Sequence, residues 1–392
     1  MKETALQPLN EFRSVPIPSL GTLLSTEQAM KLAISEAYKG ATRVSPNPLV
    51  GCVILDGQSR FLSVGHHSIY GGPHAEVEAL NSLKASDLQG AHVIVTLEPC
   101  AHEGKTPSCA KALAQLPVAK VTYGLMDPNP LVSGQGVQIL REAGIQVEEF
   151  KNYREELEEV CEAFLKNFRE KKVFVHAKVA ATLDGMTAEL NGHSQWITNS
   201  DSRLYSHYLR ACTDAVVVGV KTLLTDNPSL NVRHPEITKK NKVVILDTRG
   251  ECLRELNKMN VVKFHQAADL HILVGDQFRE KALESLVHES LPAQVHFIPS
   301  SEAGIDLNAA FEQMWKLGLR SVFVESGGKL LARLLENQLI DRFHFFQSMQ
   351  ILGPGRSWSK ELAPGTLEAA LRLKRPRYAN FGTDLYLTSR MK

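Results

Sequence analysis

The chain has 392 residues, enough for two or three ordinary domains, and its 43% hydrophobic and 22% charged content excludes a mainly disordered chain. Lys and Arg total 44 against 43 Asp and Glu, a net charge of +1, so no global field draws it to nucleic acid or an anionic membrane. No apolar run reaches the roughly 20 residues of a membrane span, and six scattered cysteines do not make a disulfide framework. A cytoplasmic protein is expected, with any paired cysteines serving as metal ligands.

Residues 1–24, with Pro8, Pro16 and Pro18, read as a loose tail without the basic-then-apolar order of a signal peptide. Ser25 and Gln28 form a predicted capping box, and Met30, Ala33, Ile34, Ala37 and Tyr38 mark one face of the helix that follows. A β run from Val50 to Leu55 ends in the turn pair Asp56-Gly57. Then come a helix from His74 to Lys84, a strand Ala91 to Leu97 and a helix Cys109 to Gln115. A strand Lys120 to Gly124 and a helix ending at Gly144 complete the set. This alternation predicts an α/β sandwich with a largely parallel sheet. A charged helix between Tyr153 and Lys172 separates it from a second α/β unit, giving a tail 1–24, a first domain 25–170 and a second domain 171–392. The second domain has β runs at Val173 to Ala180, Ala215 to Gly219, Val243 to Asp247, His271 to Gly275, Val295 to Pro299 and Ser321 to Glu325. Helices are expected at Asp201 to Cys212, Arg279 to Glu289, Asn308 to Leu317 and Lys329 to Asn337. Two late runs, Arg342 to Ile351 and Thr383 to Thr388, read as antiparallel edge strands.

The first chemical signal is His74-Ala75-Glu76, followed by Pro99-Cys100 and by Cys109. Zinc takes imidazole nitrogen and thiolate sulfur, and a catalytic site keeps its fourth tetrahedral position for water. His74, Cys100 and Cys109 supply three ligands and leave that position open. Pro73 and Pro107 precede the helices carrying His74 and Cys109, which puts these ligands near helix N-termini, where the dipole favours thiolate. Glu76, two residues from a ligand, is placed to take a proton from water and hand one to leaving ammonia without binding the metal. Singly, a Cys is usually a small buried hydrophobe and a His-x-Glu triplet is common by chance. It is the ordered set that carries the reading. Cys52, Cys161, Cys212 and Cys252 have no such partners and read as structural.

Nucleobase deaminases with a Pro-Cys-x-x-Cys signature put two residues between the cysteines, whereas eight separate Cys100 from Cys109. The blocks SPNPLVG from Ser45, PHAEV from Pro73, TLEPCAHEGKTPSC from Thr96 and DPNPLVSGQG from Asp127 resemble the deaminase half of the bifunctional riboflavin-biosynthesis pyrimidine deaminase/reductases. The match runs with few gaps from Ser25 to Gly144. It implies a cytidine-deaminase-like α/β/α sandwich in which His74, Cys100 and Cys109 bind one zinc per chain and Glu76 shuttles the proton. It also implies that Asn47 and His67 hold the pyrimidine and that Lys105 meets the ribose phosphate. A buried amide and an imidazole can read base-edge donors and acceptors, and Lys is a point-charge partner for phosphate. Alone, Lys105 would read as an exposed loop lysine.

The second domain lacks the dinucleotide fingerprint G-x-G-x-x-G. It does have Glu325-Ser326-Gly327-Gly328 between a strand and a helix, where two glycines let a phosphate approach the backbone, though an ordinary turn reads the same way. Lys178 and Asp184 flank Val179 to Leu183, while Thr222, Asp226, Asn227, Pro228 and Arg233 follow the strand Ala215 to Gly219. These suit a substrate cleft or solvated turns. The segments HAKVAATLDG from His176, SQWIT from Ser194, YLRACTDAVVVG from Tyr208, TLLTDNPSLNVR from Thr222 and VESGGKLL from Val324 resemble the reductase half of the same family, whose fold resembles dihydrofolate reductase. The resemblance puts Ser194, Arg210, Leu230, Arg233 and Glu325 toward substrate. It puts Ala180, Trp196, Thr222, Asp226, Thr248, Gly327, Gly328, Lys329 and Leu330 along an NADPH site. Two arginines suit a phosphate monoester, and Lys178 and Glu325 are candidates for supplying the proton as hydride arrives. Arg249 either meets the cofactor's 2′-phosphate or is solvated. Lys221 and Ser326 depart from the family pattern.

A zinc deaminase joined to a nicotinamide reductase implies two steps on one small phosphorylated pyrimidine. These are deamination of 2,5-diamino-6-ribosylamino-4(3H)-pyrimidinone 5′-phosphate, then reduction of its ribosyl group to ribityl by NADPH. The resemblance also suggests a homo-oligomer formed through the reductase domain. A single-activity zinc deaminase with a non-catalytic C-terminal domain is the alternative, including a nucleic-acid deaminase, which would want a basic face. The near-zero net charge and the presence of Glu76, all three ligands, Lys178, Asp226 and Glu325 count against it.

Overall fold

Ser25 starts the first helix, α1 (Thr26–Ala37), with the reciprocal capping box expected of it: Ser25 accepts from the Gln28 amide and Gln28 accepts from the Ser25 amide. The computed structural model describes residues 7–8, 12–101, 107–129, 133–287, 291–363 and 365–391. It divides into two units, Leu9–Lys171 and Lys172–Lys392 with Met1–Pro8. The described residues 12–24 are not the loose tail expected. Phe12 is buried in the first unit's core, and Gly21 and Thr22 exchange backbone bonds with Phe61. No helix among the described residues is long and apolar enough to cross a membrane.

The first unit continues with β1 (Gly51–Leu55), β2 (Phe61–His66), α2 (Ala75–Leu80), β3 (Ala91–Leu97), α3 (Cys109–Ala114), β4 (Val118–Leu125), α4 (Gln135–Glu142) and β5 (Gln146–Glu149). Its sheet order is β2-β1-β3-β4-β5. Alternation sorts the side chains: Val53, Leu55 and Ile94 meet α1, while Cys52, Ile54, Val93 and Val95 meet α2, α3 and α4. This is a three-layer sandwich. The expectation of a largely parallel sheet needs correcting. β1 runs antiparallel to both β2 and β3, and only β3-β4 and β4-β5 are parallel. The charged helix is two helices, α5 (Arg154–Val160) and α6 (Glu162–Glu170), broken where the Cys161 thiol donates to the Leu49 carbonyl.

The second unit contains β6 (Phe174–Ala181), α7 (Ser200–Ala211), β7 (Ala215–Gly219), α8 (Val220–Asp226), β8 (Lys242–Leu246), β9 (Leu270–Gly275), α9 (Arg279–Val287) and β10 (Gln294–Ile298). After these come α10 (Leu307–Lys316), β11 (Ser321–Glu325), α11 (Gly328–Glu336), β12 (Arg342–Gln347), β13 (Lys374–Phe381) and β14 (Asp384–Arg390). A ten-stranded sheet runs from Gln7–Pro8 through β13-β14-β12-β6-β11-β7-β8-β9-β10. Every pair from β12 to β10 is parallel, and β14 is antiparallel to both β12 and β13. The late strands are therefore antiparallel but not at the edge. The strand outside them, β13, reads poorly because Pro376 lacks an N–H, and the ladder shifts register between Lys374 and Arg377 around it. Val175, Ala177 and Val179 pack with α10 and α11 in the larger core. Lys178 alternates with them and faces the opposite layer.

Gly65 lets β2 and α2 touch backbone to backbone, since a Cβ there would lie 2.4 Å from the Ala79 nitrogen and 2.6 Å from the Ala75 oxygen. Gly65→Ala should destabilise the first unit by about 1–3 kcal/mol through overpacking. A thermal unfolding midpoint equal to the parent's would show that this approach is not required.

Candidate active sites

In the first unit, His74 occupies the N-cap position of α2 with extended backbone, and its ring makes no capping bond. Its Nδ1 instead lies 3.5 Å from Cys100 Sγ and 3.3 Å from Cys109 Sγ, and one ligand atom from each residue falls within 4.8 Å of the others. Tetrahedral zinc with ordinary Zn–N and Zn–S bonds sets such atoms about 3.6 Å apart, so the three residues fit the metal. Among the described residues no other such cluster of three exists. Cys100 leaves the end of β3, and Cys109 begins α3. Ser108 caps that helix and also donates to the Cys100 carbonyl at 2.8 Å, which accepts from the Ala110 amide as well.

In the metal-free cluster, hydrogen bonds from the Cys109 thiol, His74 and the Cys109 amide pull Cys100 well below the ordinary thiol range, while the bond to Cys100 and burial push Cys109 up. The bond to Cys100 raises His74. Glu76 is buried and bears no metal-ligand geometry. Burial first, and then the Cys100 thiolate, push it up to about 7.

Asn47 and His67 come together beside this cluster. His67 donates from Nδ1 to the Pro73 carbonyl at 2.8 Å, so its Nε2 accepts from Asn47 Nδ2 at 3.0 Å. Burial lowers the His67 pKa, which keeps the ring neutral, and it sits edge-on to His74 at 5.4 Å. Lys105 lies outside the described residues.

In the second unit, parallel register places Glu325 of β11 directly beside Lys178 of β6. Arg210, in the last turn of α7, grips Glu325 with a two-pronged ion pair, Nε to Oε1 and Nη2 to Oε2, and donates from Nη1 to the Asn231 carbonyl at 2.9 Å. Despite burial, the guanidinium holds Glu325 at about 2. This corrects one expectation: Glu325 stays ionised and has no proton to give. Lys178 does, and burial lowers its pKa. Leu230 is a second correction. Its side chain lies in the core and its carbonyl accepts from Asn241, so it offers no side chain to a ligand.

Arg233 is exposed, and its guanidinium bonds Ser229 Oγ and Asn231 Oδ1. Sequence reasoning missed His207, whose Nδ1 accepts the Arg233 amide at 3.2 Å. Burial and the two neighbouring guanidiniums hold His207 at about 4. Its spacing of three from Arg210 on one helix was the available signal. Ser194 is half-buried on the loop before α7, and Trp196 is exposed there beneath the Arg203 guanidinium at 4.4 Å. Ala180 lies two residues beyond Lys178 on the same face of β6. Thr222 and Asp226 lie on α8, and Leu330 packs over Gly219 at the end of β7. Thr248 accepts from the Ile305 amide. Gly327 faces open space, Gly328 packs against the Trp358 carbonyl, and Lys329 is exposed at the start of α11. Arg249 and Lys221 are exposed.

Residues 24–125 match the cytidine and deoxycytidylate deaminase zinc-binding region, and residues 173–387 match the RibD C-terminal domain. The riboflavin biosynthesis protein RibD of Aquifex aeolicus is 34% identical over 358 residues, 91% of this chain and 96% of that protein. This chain belongs to the RibD family. The Escherichia coli RibD is 33% identical over 84% of this chain and 89% of its own length. Among solved structures, Acinetobacter baumannii RibD superposes with a TM-score of 0.78 at 31% identity, covering 94% of this chain and 99% of that one. A Thermotoga maritima diaminohydroxyphosphoribosylaminopyrimidine deaminase/5-amino-6-(5-phosphoribosylamino)uracil reductase gives 0.76 at 32% identity, with the same coverage. The chain is thus a bifunctional enzyme of riboflavin biosynthesis, with a zinc-binding deaminase domain and a reductase domain; a single-activity deaminase is not favoured.

The Arg210–Glu325 pair gives a pH test. Glu325 is depressed from 4.5 to about 2 on folding, so its contribution is complete above 4.5 and shrinks as pH falls toward 2. Glu325→Gln should therefore cost more stability at pH 7 than at pH 3, read from denaturant unfolding. An equal cost at both would mean the ion pair does not carry it.

Proposed function

We propose that this RibD-family enzyme is cytoplasmic and acts on 2,5-diamino-6-ribosylamino-4(3H)-pyrimidinone 5′-phosphate, first removing the 2-amino group as ammonia. His74, Cys100 and Cys109 hold one zinc, which supplies a Lewis acid that makes water nucleophilic at neutral pH. The observation that carries this reading is the three-ligand cluster with buried Glu76 beside it. A buried carboxyl two residues from a ligand can take a proton from water and return it to the departing amine in one cycle. Asn47 and neutral His67 hold the pyrimidine. Their mutual bond fixes the imidazole's tautomer and leaves one Asn47 N–H and its carbonyl for the base edge. Lys105 is assigned to the ribose phosphate.

In the reductase unit, NADPH when bound would supply the hydride that converts the ring-opened ribosyl group to ribityl. Lys178 donates the balancing proton to the nitrogen attached to ribose C1, since burial makes the ammonium a better acid. Glu325 remains anionic, orients Arg210 and meets the sugar, while Arg233 takes the phosphate. Ser194 and the Leu230 backbone border the substrate. Ala180, Trp196, Thr222, Asp226, Thr248 and the turn from Gly327 to Leu330 border the cofactor, where open space above Gly327 supports a close phosphate approach.

The reading is tested by a mass-spectrometric time course with the diaminopyrimidinone ribosyl phosphate, first alone and then with NADPH. The expected result is deaminated product alone, then a two-hydrogen gain once NADPH is added; a missing step would remove that half of the assignment. Glu76→Gln should retain about one zinc per chain yet lose deamination by roughly 100-fold or more. Lys178→Gln should bind NADPH, keep deamination and lose reduction by a similar factor. Normal turnover in either variant would displace the named acid or base.

A further inference from the structure

Glu98 directly follows the last residue of β3, two residues before Cys100, and takes no part in the proton transfers above. Only 4% exposed, it has no cationic partner among the described residues. Four backbone amides meet its carboxylate instead. Asp127 and Gly134 donate to Oε2 at 3.2 and 3.1 Å, and Gly136 and Val137 donate to Oε1 at 3.1 and 3.3 Å. Gly136 and Val137 belong to the first turn of α4, and Gly134 is its N-cap residue, with a left-handed φ of 81°. One side chain therefore caps a helix and draws Asp127 and Gly134 together.

The same helix start touches the metal loop from its other side. A Cβ on Gly136 would lie 1.9 Å from the Pro99 carbonyl oxygen, so the Pro99-Cys100 turn rests directly on α4. Beyond it, the Cys100 carbonyl is held by Ser108 and Ala110. Cys100 is thus anchored by backbone contacts on both sides, and the Glu98 carboxylate fastens one of them.

We propose that Glu98 is a positioning residue of the deaminase, holding the Cys100 thiolate at the spacing His74 and Cys109 need to share a metal. The inference rests on the zinc reading of that cluster. It depends on carboxylate chemistry rather than on volume: two oxygens offer four acceptor sites to four donors. A glutamine of nearly equal size offers one oxygen and turns an NH₂ toward two N–H groups, leaving buried donors unpaired.

The test uses the full-length chain stripped of metal, with zinc titrated against a chromophoric chelator of known affinity. Glu98→Gln should bind zinc about 10–100-fold more weakly than the parent, the usual cost of losing an outer support of a metal ligand. Far-UV circular dichroism should be unchanged, and the NADPH-dependent reductase rate should stay within about twofold of the parent. A folded variant with a lower unfolding midpoint but the parent's zinc affinity would reduce Glu98 to a structural cap and overturn the proposal. Should Glu98→Gln not fold, Glu98→Asp carries the test. It keeps the charge but withdraws it by one methylene, and an unchanged affinity would again overturn the proposal. A parent chain that takes up no zinc would overturn the zinc reading itself, and this inference with it.

Discussion

Removing a charge from water costs several kcal/mol unless partners replace the lost solvation, and both units of this chain hold ionisable groups in buried places under that cost. How each group meets it decides what the group can do. Glu325 is answered by the Arg210 fork, stays near 2 and is fixed as an anion. Glu98 is answered by four amides and is fixed as a support. Glu76 has no ion pair among the described residues, and in the metal-free chain burial beside a thiolate lifts it to about 7. Lys178 is half-buried with only part of its charge offset by Glu325, and desolvation lowers its pKa. The groups left incompletely compensated are the ones whose pKa values move toward the neutral range.

Strand direction decides where these groups meet. In the first unit β1 runs against β3, so Gly51, at its amino end, lies near Leu97, at the carboxyl end of β3: Cys52 pairs with Val95. The β1-β2 hairpin then returns His66 opposite Gly51. Asn47 before β1, His67 after β2 and Cys100 after β3 therefore gather at one end of the sheet. An all-parallel sheet would have sent the start of β1 to the far end. In the second unit the parallel ladder does the equivalent work, setting Glu325 beside Lys178 and ending β7, β8 and β11 at one edge of the sheet.

The deaminase ligands were legible because their chemistry is local: each of His74, Cys100 and Cys109 announces its type, and prolines mark the helix starts. The reversed β1 was not, because FLSVGH, the strand that pairs with it, is short and contains Ser63 and Gly65, so the hairpin left little trace. Cys161 split one charged helix into two through a bond to a carbonyl over a hundred residues away, which no local pattern contains. In the reductase the candidate residues were legible as family positions, but their states were not. Nothing in VESGG says that Glu325 is gripped by an arginine of another helix and cannot donate. Nothing in NPSLNVR says that Leu230 points into the core while Ser229 and Asn231 hold the Arg233 guanidinium.

Arg210 and Arg233, which both bond Asn231, are not equivalent, and the difference bears on what they can bind. Arg210 spends three of its five N–H groups on Glu325 and the Asn231 carbonyl, so its charge is cancelled where it stands. Arg233 is held only by neutral groups, the Ser229 hydroxyl and the Asn231 amide oxygen, which orient the guanidinium without neutralising it. His207 adds no charge, because burial and the guanidiniums keep it unprotonated. With the Arg210–Glu325 pair summed to zero, the remaining charge is that of Arg233 and, when protonated, Lys178. A phosphate monoester carries about −1.5 to −2 at neutral pH, so the proposed substrate brings the balancing charge with it.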